Sequence, residues 1–116
     1  MAKEIILYNL KDTVTDQEYK KFCEDFKGPF LINLAACKSF TLSKLVGAMK
    51  GDGREPKPPE PTEMPFKYIG IVDVTNLGAW QKDFDSKPFQ EEFLPKWISM
   101  VADFHIIRAE DVWFGE

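Results

Sequence analysis

The alternation of apolar and polar residues predicts four β-strands. Residues 4–10 (EIILYNL) and 66–74 (FKYIGIVDV) carry apolar side chains on both alternating sides. Residues 38–46 (KSFTLSKLV) are apolar on one side and more polar on the other, which favours a place nearer a sheet edge. Residues 104–112 (FHIIRAEDV) form the last predicted strand. A strand that is apolar on both faces must be covered on both.

Helical periodicity separates the first two strands. Thr15 to Glu18 form a capping box, in which Thr15 bonds a backbone amide and Glu18 reaches back. An apolar stripe with helical spacing follows, made of Tyr19, Phe22, Cys23 and Phe26. We expect Gly28-Pro29 to end this helix.

A second helical region follows the third strand. Thr75 or Asn76 is the predicted N-cap. Pro88 lies near the first turn of a further helix, and Pro95 is expected to kink or divide it. The apolar residues of the region are Leu77, Trp80, Phe84, Phe89, Phe93, Trp97 and Val101.

Residues 47–65 contain three glycines and five prolines. Such a composition predicts no regular element. The segment is interpreted as a floppy insertion or, alternatively, as a lid or an arm that embraces a dimer partner.

The element order is strand, helix, strand, strand, helix, strand. It predicts one ferredoxin-like α+β domain over residues 1–116, with the 47–65 loop inserted. Its four-stranded antiparallel sheet carries helices on one face only. The doubly apolar central strands then leave an apolar face uncovered. Packing two such sheets face to face covers it, which predicts a homodimer, a dimeric α+β barrel.

Charge and cysteine content narrow the function classes. A net charge of −4 with no basic run argues against nucleic-acid binding. No segment has the length and hydropathy of a membrane span, and the N-terminus lacks a signal-peptide pattern, so a cytoplasmic location without membrane contact is expected. Cys23 and Cys37 lack the spacing of metal ligands, so we predict structural thiols, no metal site and no cofactor.

Three stretches carry a resemblance to a known family: residues 35–45 (AACKSFTLSKL), 66–80 (FKYIGIVDVTNLGAW) and 87–112. Together they resemble the RedY-like family of the dimeric α+β barrel superfamily, small proteins encoded in gene clusters for prodigiosin-type pigments and elsewhere. The resemblance implies a role near pigment or other secondary-metabolite biosynthesis. It brings no established catalytic residues.

Some members of the superfamily are cofactor-free or haem-degrading monooxygenases, which use an Asn on the first strand with a Trp and a His. Asn9 and Trp80 match two of these residues. The expected helical His is missing, since residues 87–90 read KPFQ. This departure makes monooxygenase activity the weaker alternative.

His105 is the only histidine of the chain and begins the last strand. In the ferredoxin-like sheet, the end of the first strand at Asn9 meets the starts of the others at Tyr68 and His105. These three residues are candidate catalytic groups in one polar cluster. Whether they share a face depends on the strand register, which the sequence leaves open.

The main functional hypothesis is an apolar or aromatic small-molecule ligand, held between helices and sheet or inside the dimer barrel. Whether the protein is an enzyme is left open. The alternative is a non-enzymatic dimer in which the aromatic residues form only core and interface. Predicted ligand-binding residues are Tyr8, Phe22, Trp80, Phe93 and Trp97.

Overall fold

The main sheet of the computed structural model, which describes residues 1–54 and 56–116, has four antiparallel strands. They lie in the order β2-β5-β1-β6, with β1 between β5 and β6 and with β2 at an edge. This confirms the predicted ferredoxin-like sheet. The bounds are β1 Ala2–Leu10, β2 Cys37–Lys44, β5 Tyr68–Val74 and β6 Val101–Glu110.

The prediction that residues 47–65 hold no regular element is wrong. A short hairpin forms there from β3 (Ala48–Lys50) and β4 (Glu60–Thr62). Met49 lies opposite Pro61 in this two-stranded ribbon. Both of its strands are edge strands, so a proline without an N–H group is tolerated.

The first helix does not end at Gly28-Pro29, contrary to the sequence prediction. α1 (Asp16–Phe22) begins at Thr15, whose hydroxyl accepts a 3.1 Å hydrogen bond from the Glu18 amide. It continues through a π-helical turn, Cys23–Lys27, into α2 (Gly28–Ile32). Pro29 lies in the first turn of α2, where a missing N–H group costs little.

The second helical region has the same construction. α3 (Leu77–Phe84) is capped by Asn76, whose side chain accepts a hydrogen bond from the Ala79 amide. A π-helical segment, Pro88–Phe93, then leads into α4 (Leu94–Ile98). Pro95 lies in the first turn of α4, beside the point where the π-helical segment ends and the α-helix begins. This agrees with the prediction that Pro95 kinks or divides the helix.

The helices cover one face of the sheet. Ala2, Glu4, Ile6 and Tyr8 of β1 are buried beneath them, whereas the alternate residues of the strand remain partly exposed. The buried core joins these positions to Tyr19, Leu31, Val72, Val74, Trp80, Phe89, Phe93, Trp97 and Val101.

The opposite face of the sheet has an apolar centre that remains partly exposed. At its centre, Ile5 lies between Ile71 on β5 and Ile107 on β6. Leu7 and Ile69 form the next cross-strand pair on this face. The sequence prediction of an uncovered apolar face is therefore confirmed.

No helix in the described ranges 1–54 and 56–116 is long and apolar enough to cross a lipid bilayer.

The cap of α3 gives a direct test of the helix assignment. Replacing Asn76 by Ala removes the acceptor for the Ala79 amide, so we expect the free energy of unfolding to fall by about 1 kcal/mol. Urea denaturation measures this change. Lys82→Ala, at an exposed position in the same helix, is the matched control and should leave stability nearly unchanged. Equal stability of both variants would contradict the cap.

Candidate functional site

A cleft opens at the end of the sheet where β1 finishes and β5 begins. Asn9 fixes one of its walls by bonding the chain just before β5. Its Nδ2 donates to the Pro65 carbonyl at 2.7 Å, and its Oδ1 accepts from the Lys67 amide at 3.0 Å. Asn9 therefore holds the loop before β5 against the end of β1.

Tyr68 forms another wall of this cleft. Its hydroxyl donates a hydrogen bond to the Asp16 carboxylate, which also accepts one from the Lys44 ammonium. The hydrogen bond from Lys44 is the main cause that lowers the pKa of Asp16, and the hydrogen bond from Tyr68 lowers it further. Burial is the main cause that raises the pKa of Tyr68, and the hydrogen bond to the Asp16 carboxylate raises it further. Tyr68 is therefore a neutral hydrogen-bond donor at physiological pH, and Asp16 is ionised.

The cleft has a volume of about 950 Å³, which suits a small-molecule ligand. Three lysines and three aspartates line it, so the charges of its walls balance. Its polar lining consists of Asn9, Lys11, Asp12, Asp16, Lys44, Lys67, Tyr68 and Asp103. Its apolar lining consists of Leu10, Val14, Leu45, Pro65 and Ala102.

A β-bulge shapes the wall of the cleft on β6. The register between β1 and β6 shifts between Leu7 and Asn9. Across from this shift, Asp103 has a φ of 51°, in the left-handed region that few residues other than glycine adopt. Strained backbone of this kind is concentrated at functional sites.

The structure separates His105 from Tyr68. His105 lies opposite Leu7 on the open face of the sheet, with its ring 5.1 Å from that of Phe66. Tyr68 lies opposite Tyr8 on the face beneath the helices. Asn9 and Tyr68 thus line one cleft, and His105 is not part of its lining.

The predicted ligand-binding aromatics lie in or against the core. Tyr8, Trp80, Phe93 and Trp97 are buried, and Phe22 packs against them half-buried. The cavity that Trp80, Phe93 and Trp97 help to line has a volume of only about 20 Å³, room for one or two water-sized groups. An aromatic ligand does not fit there. Trp80 lies on the helix-covered side, away from the cleft of Asn9, so these two residues do not share a site.

The sequence prediction missed a buried lysine. Lys27, at the end of the first π-helical turn, is 1% exposed. Its Nζ donates to the hydroxyls of Tyr19 at 2.9 Å and Tyr8 at 3.2 Å. The two hydroxyl oxygens are 2.6 Å apart, and Trp97 Nε1 donates to Tyr19 at 3.0 Å. We call Lys27, Tyr8, Tyr19 and Trp97 the lysine cage.

The Lys27 ammonium is surrounded by aromatic rings. No carboxylate among the described residues forms an ion pair with Lys27. Its Nζ lies 5.0 to 5.5 Å from the ring centres of the two tyrosines, Trp97 and Phe40, within the range of cation–π attraction. Burial lowers the pKa of Lys27 to about 8, against an opposing effect of Cys23. Burial also raises the pKa of both tyrosines.

One signal in the sequence could have pointed to Lys27. It follows Cys23 by four residues and so lies beside the apolar stripe of α1. A lysine at the edge of such a stripe normally extends its ammonium into water. The π-helical turn changes the helical phase at this point, which the α-helical period does not anticipate.

The sheet order, the one-sided helices and the end-of-sheet cleft define a protein of the ferredoxin-like α+β class. Within this class, residues 2–112 match the family model described as REDY-like protein HapK, and the chain therefore belongs to that family. This confirms the resemblance found in the sequence. No curated protein is significantly similar to the chain.

Three solved structures illustrate the shared fold. HapK from Hahella chejuensis has a TM-score of 0.73 and 13% identity, over 100% of this chain and 97% of that chain. Hydroxynitrile lyase from Passiflora edulis has a TM-score of 0.68 and 11% identity, over 98% and 96%. A dimeric ferredoxin-like protein of unknown function from Thermobifida fusca has a TM-score of 0.61 and 15% identity, over 93% and 88%.

The lysine cage predicts an unusual dependence of stability on pH. In the unfolded chain Lys27 stays protonated up to about pH 10.5, whereas the folded protein releases this proton near pH 8. Unfolding therefore takes up a proton between these values, and stability rises with pH. From pH 7 to pH 9 this adds on the order of 1 kcal/mol.

Lys27→Met removes this contribution, and groups that do not interact with Lys27 titrate equally in both proteins. We expect the wild type to gain on the order of 1 kcal/mol relative to Lys27→Met between pH 7 and pH 9 in urea denaturation. Lys44→Met, which removes an exposed lysine, is the control and should follow the wild type. A constant difference between wild type and Lys27→Met would contradict the lowered pKa.

Proposed function

We propose that the protein is a homodimer that binds a small molecule in the cleft between Asn9 and Tyr68 and assists a step in pigment or other secondary-metabolite biosynthesis. The biosynthetic role rests on membership of the REDY-like protein HapK family. The observation that carries the binding site is the Tyr68–Asp16–Lys44 group in the wall of a cleft large enough for an organic ligand.

The open face of the sheet supports the homodimer. Its central residues Ile5, Ile71 and Ile107 form an apolar band that remains partly exposed. Apolar bands of this kind are usually buried against a partner. The ferredoxin-like protein from Thermobifida fusca, which has a similar fold, is described as dimeric. A second copy of this chain, presenting the same band across a two-fold axis, covers both sheets at once.

The lining of the cleft indicates the chemistry of its ligand. Because its lysines and aspartates balance in number, it favours a molecule without large net charge. Leu10, Val14 and Leu45 offer apolar contact to a planar body. The Tyr68–Asp16 pair and Lys67 offer directional hydrogen bonds at its rim. This describes a neutral aromatic or conjugated compound with a few hydrogen-bonding groups.

The filled interior favours a second candidate. The cavity of about 20 Å³ among the core aromatics leaves them the role of packing. A non-enzymatic homodimer, in which the aromatics form only core and interface, is therefore the alternative function. The two candidates differ in whether the cleft takes a ligand.

The homodimer is tested at the centre of the open face. Ile5→Lys places a charge in the proposed interface. Burying this charge without a partner should raise the dissociation constant of the dimer at least about a hundredfold. Sedimentation velocity should show a dimeric wild type and a monomeric variant. Ile32→Lys, at an exposed apolar position on α2, is the control and should remain dimeric. A monomeric wild type, or a dimeric Ile5→Lys, would refute the homodimer.

The cleft is tested with a panel of small pyrrole and indole derivatives that carry a carbonyl or hydroxyl group. We expect at least one compound to shift the NMR signals of the Asn9 side-chain amide and the Lys67 backbone amide. Tyr68→Phe removes one directional bond and should weaken that binding about fivefold to tenfold. Ser43→Ala, an exposed change beside Lys44, should not weaken it.

Two results would count against the cleft. One is that no compound of the panel shifts these signals. The other is that binding is unchanged in both Tyr68→Phe and Asn9→Ala. Either result would leave the non-enzymatic homodimer as the better description.

A further inference from the structure

The small cavity beside Lys27 has a mostly apolar lining, and Lys27 and Trp80 bring hydrogen-bond donors to it. Lys27 and Trp80 both line it, with apolar walls that include Leu31, Val72 and Phe93. Among the described residues, Trp80 Nε1 is the buried side-chain nitrogen that lacks a partner. An indole N–H can only donate. Leaving this N–H group without a hydrogen bond in a buried position costs free energy, so a hydrogen-bond acceptor bound in the cavity would stabilise the protein.

The charges around the cavity also favour the binding of a negatively charged group. Glu4 is the carboxylate of the lining, and its Oε1 accepts from Arg108 Nε at 3.1 Å. This pair is internally balanced. Among the described residues, the hydrogen-bond partners of the Lys27 ammonium are the neutral hydroxyls of Tyr8 and Tyr19. When Lys27 is protonated, the region therefore carries one uncompensated positive charge in a largely apolar surrounding.

We propose that this cavity is a binding site for a small monovalent anion, held by the Lys27 ammonium and the Trp80 indole N–H. The anion supplies the missing acceptor and the missing negative charge together. The volume of about 20 Å³ limits it to the size of chloride or formate. This site lies in the core and is separate from the cleft of the proposed function.

Ile106 of β6 lines one side of the cavity, and Arg108 lies two residues further along the same strand. Arg108 extends from β6 across to Glu4 and to the Gln81 side chain on α3. Its guanidinium lies 5.3 Å from the ring centre of Phe84, which also lines the cavity. Ile106, another lining residue, is 38% exposed. Ile106 therefore gives the cavity one wall that reaches the protein surface.

The protonation of Lys27 sets the pH dependence of binding. The groups facing it are Tyr8 and Tyr19, Cys23 on its own helix, and the Glu4–Arg108 pair. Burial raises the pKa of both tyrosines and of the Cys23 thiol, so these groups stay neutral while Lys27 titrates. With the pKa of Lys27 at about 8, affinity falls about thirtyfold between pH 6.5 and pH 9.5.

Formate is the probe, and the indole N–H resonance of Trp80 is the readout. Trp80→Phe assigns this resonance among the three tryptophans of the chain. At constant ionic strength and pH 6.5, formate should shift it saturably. The affinity should be about thirtyfold lower at pH 9.5. Propionate, which exceeds the cavity, should cause no saturable shift at either pH.

Two substitutions separate the cavity from the protein surface. Lys27→Met should abolish the formate response, and Lys21→Met, which removes an exposed lysine from α1, should preserve it. The proposal is overturned if formate causes no saturable shift at pH 6.5, if its affinity is the same at both pH values, or if Lys27→Met responds like the wild type. The pH comparison uses the wild type alone, so it decides the matter even if Lys27→Met does not fold.

Discussion

The burial of the Lys27 ammonium is the interaction on which the packing of helices against sheet depends. Removing such a charge from water costs several kcal/mol, and only well-placed partners offset that cost. The partners come from separate parts of the chain: Tyr8 from β1, Tyr19 from α1 and Trp97 from α4. A shift of either helical region would deprive the ammonium of its hydrogen bonds or of its aromatic rings. The lysine cage thus fixes the position of both helical regions over the sheet.

The two π-helical segments allow this arrangement. The first ends at Lys27, and the second contains Phe89 and Phe93. Phe30, just beyond the first segment, packs on Phe93 with ring centres 5.0 Å apart. π-helical turns are rare and occur frequently at functional sites. Here the first segment turns a lysine inward, and the second places Phe89 and Phe93 in the buried core.

The division of the sheet into two faces and one end organises the proposed functions. The helix-covered face is filled, apart from the small cavity beside Lys27. The open face is apolar and suits a second copy of the chain. The end of the sheet, where β1 meets β5, is left for a ligand, because Asn9 holds the preceding loop in place and Tyr68 closes the side beneath the helices.

Much of this division follows from the sequence. The doubly apolar strands at residues 4–10 and 66–74 predict the central pair of the sheet and its uncovered face. The sequence could not place Tyr68 and His105 on opposite faces, because a register change of one residue reverses every side chain. Lys27 escaped prediction because the helical phase changes at the π-helical turn. The β3–β4 hairpin was missed because proline excludes central strands but not isolated ribbons.

The most direct test of the lysine cage is the titration of Lys27 itself. Carbon-13 NMR of the lysine side chains, assigned by Lys27→Met, follows the Cε signal of each lysine as pH rises. The account predicts a midpoint of about pH 8 for Lys27, because burial lowers its pKa. A midpoint near 10.4, the value of a lysine in water, would show that the ammonium reaches solvent and would contradict the account.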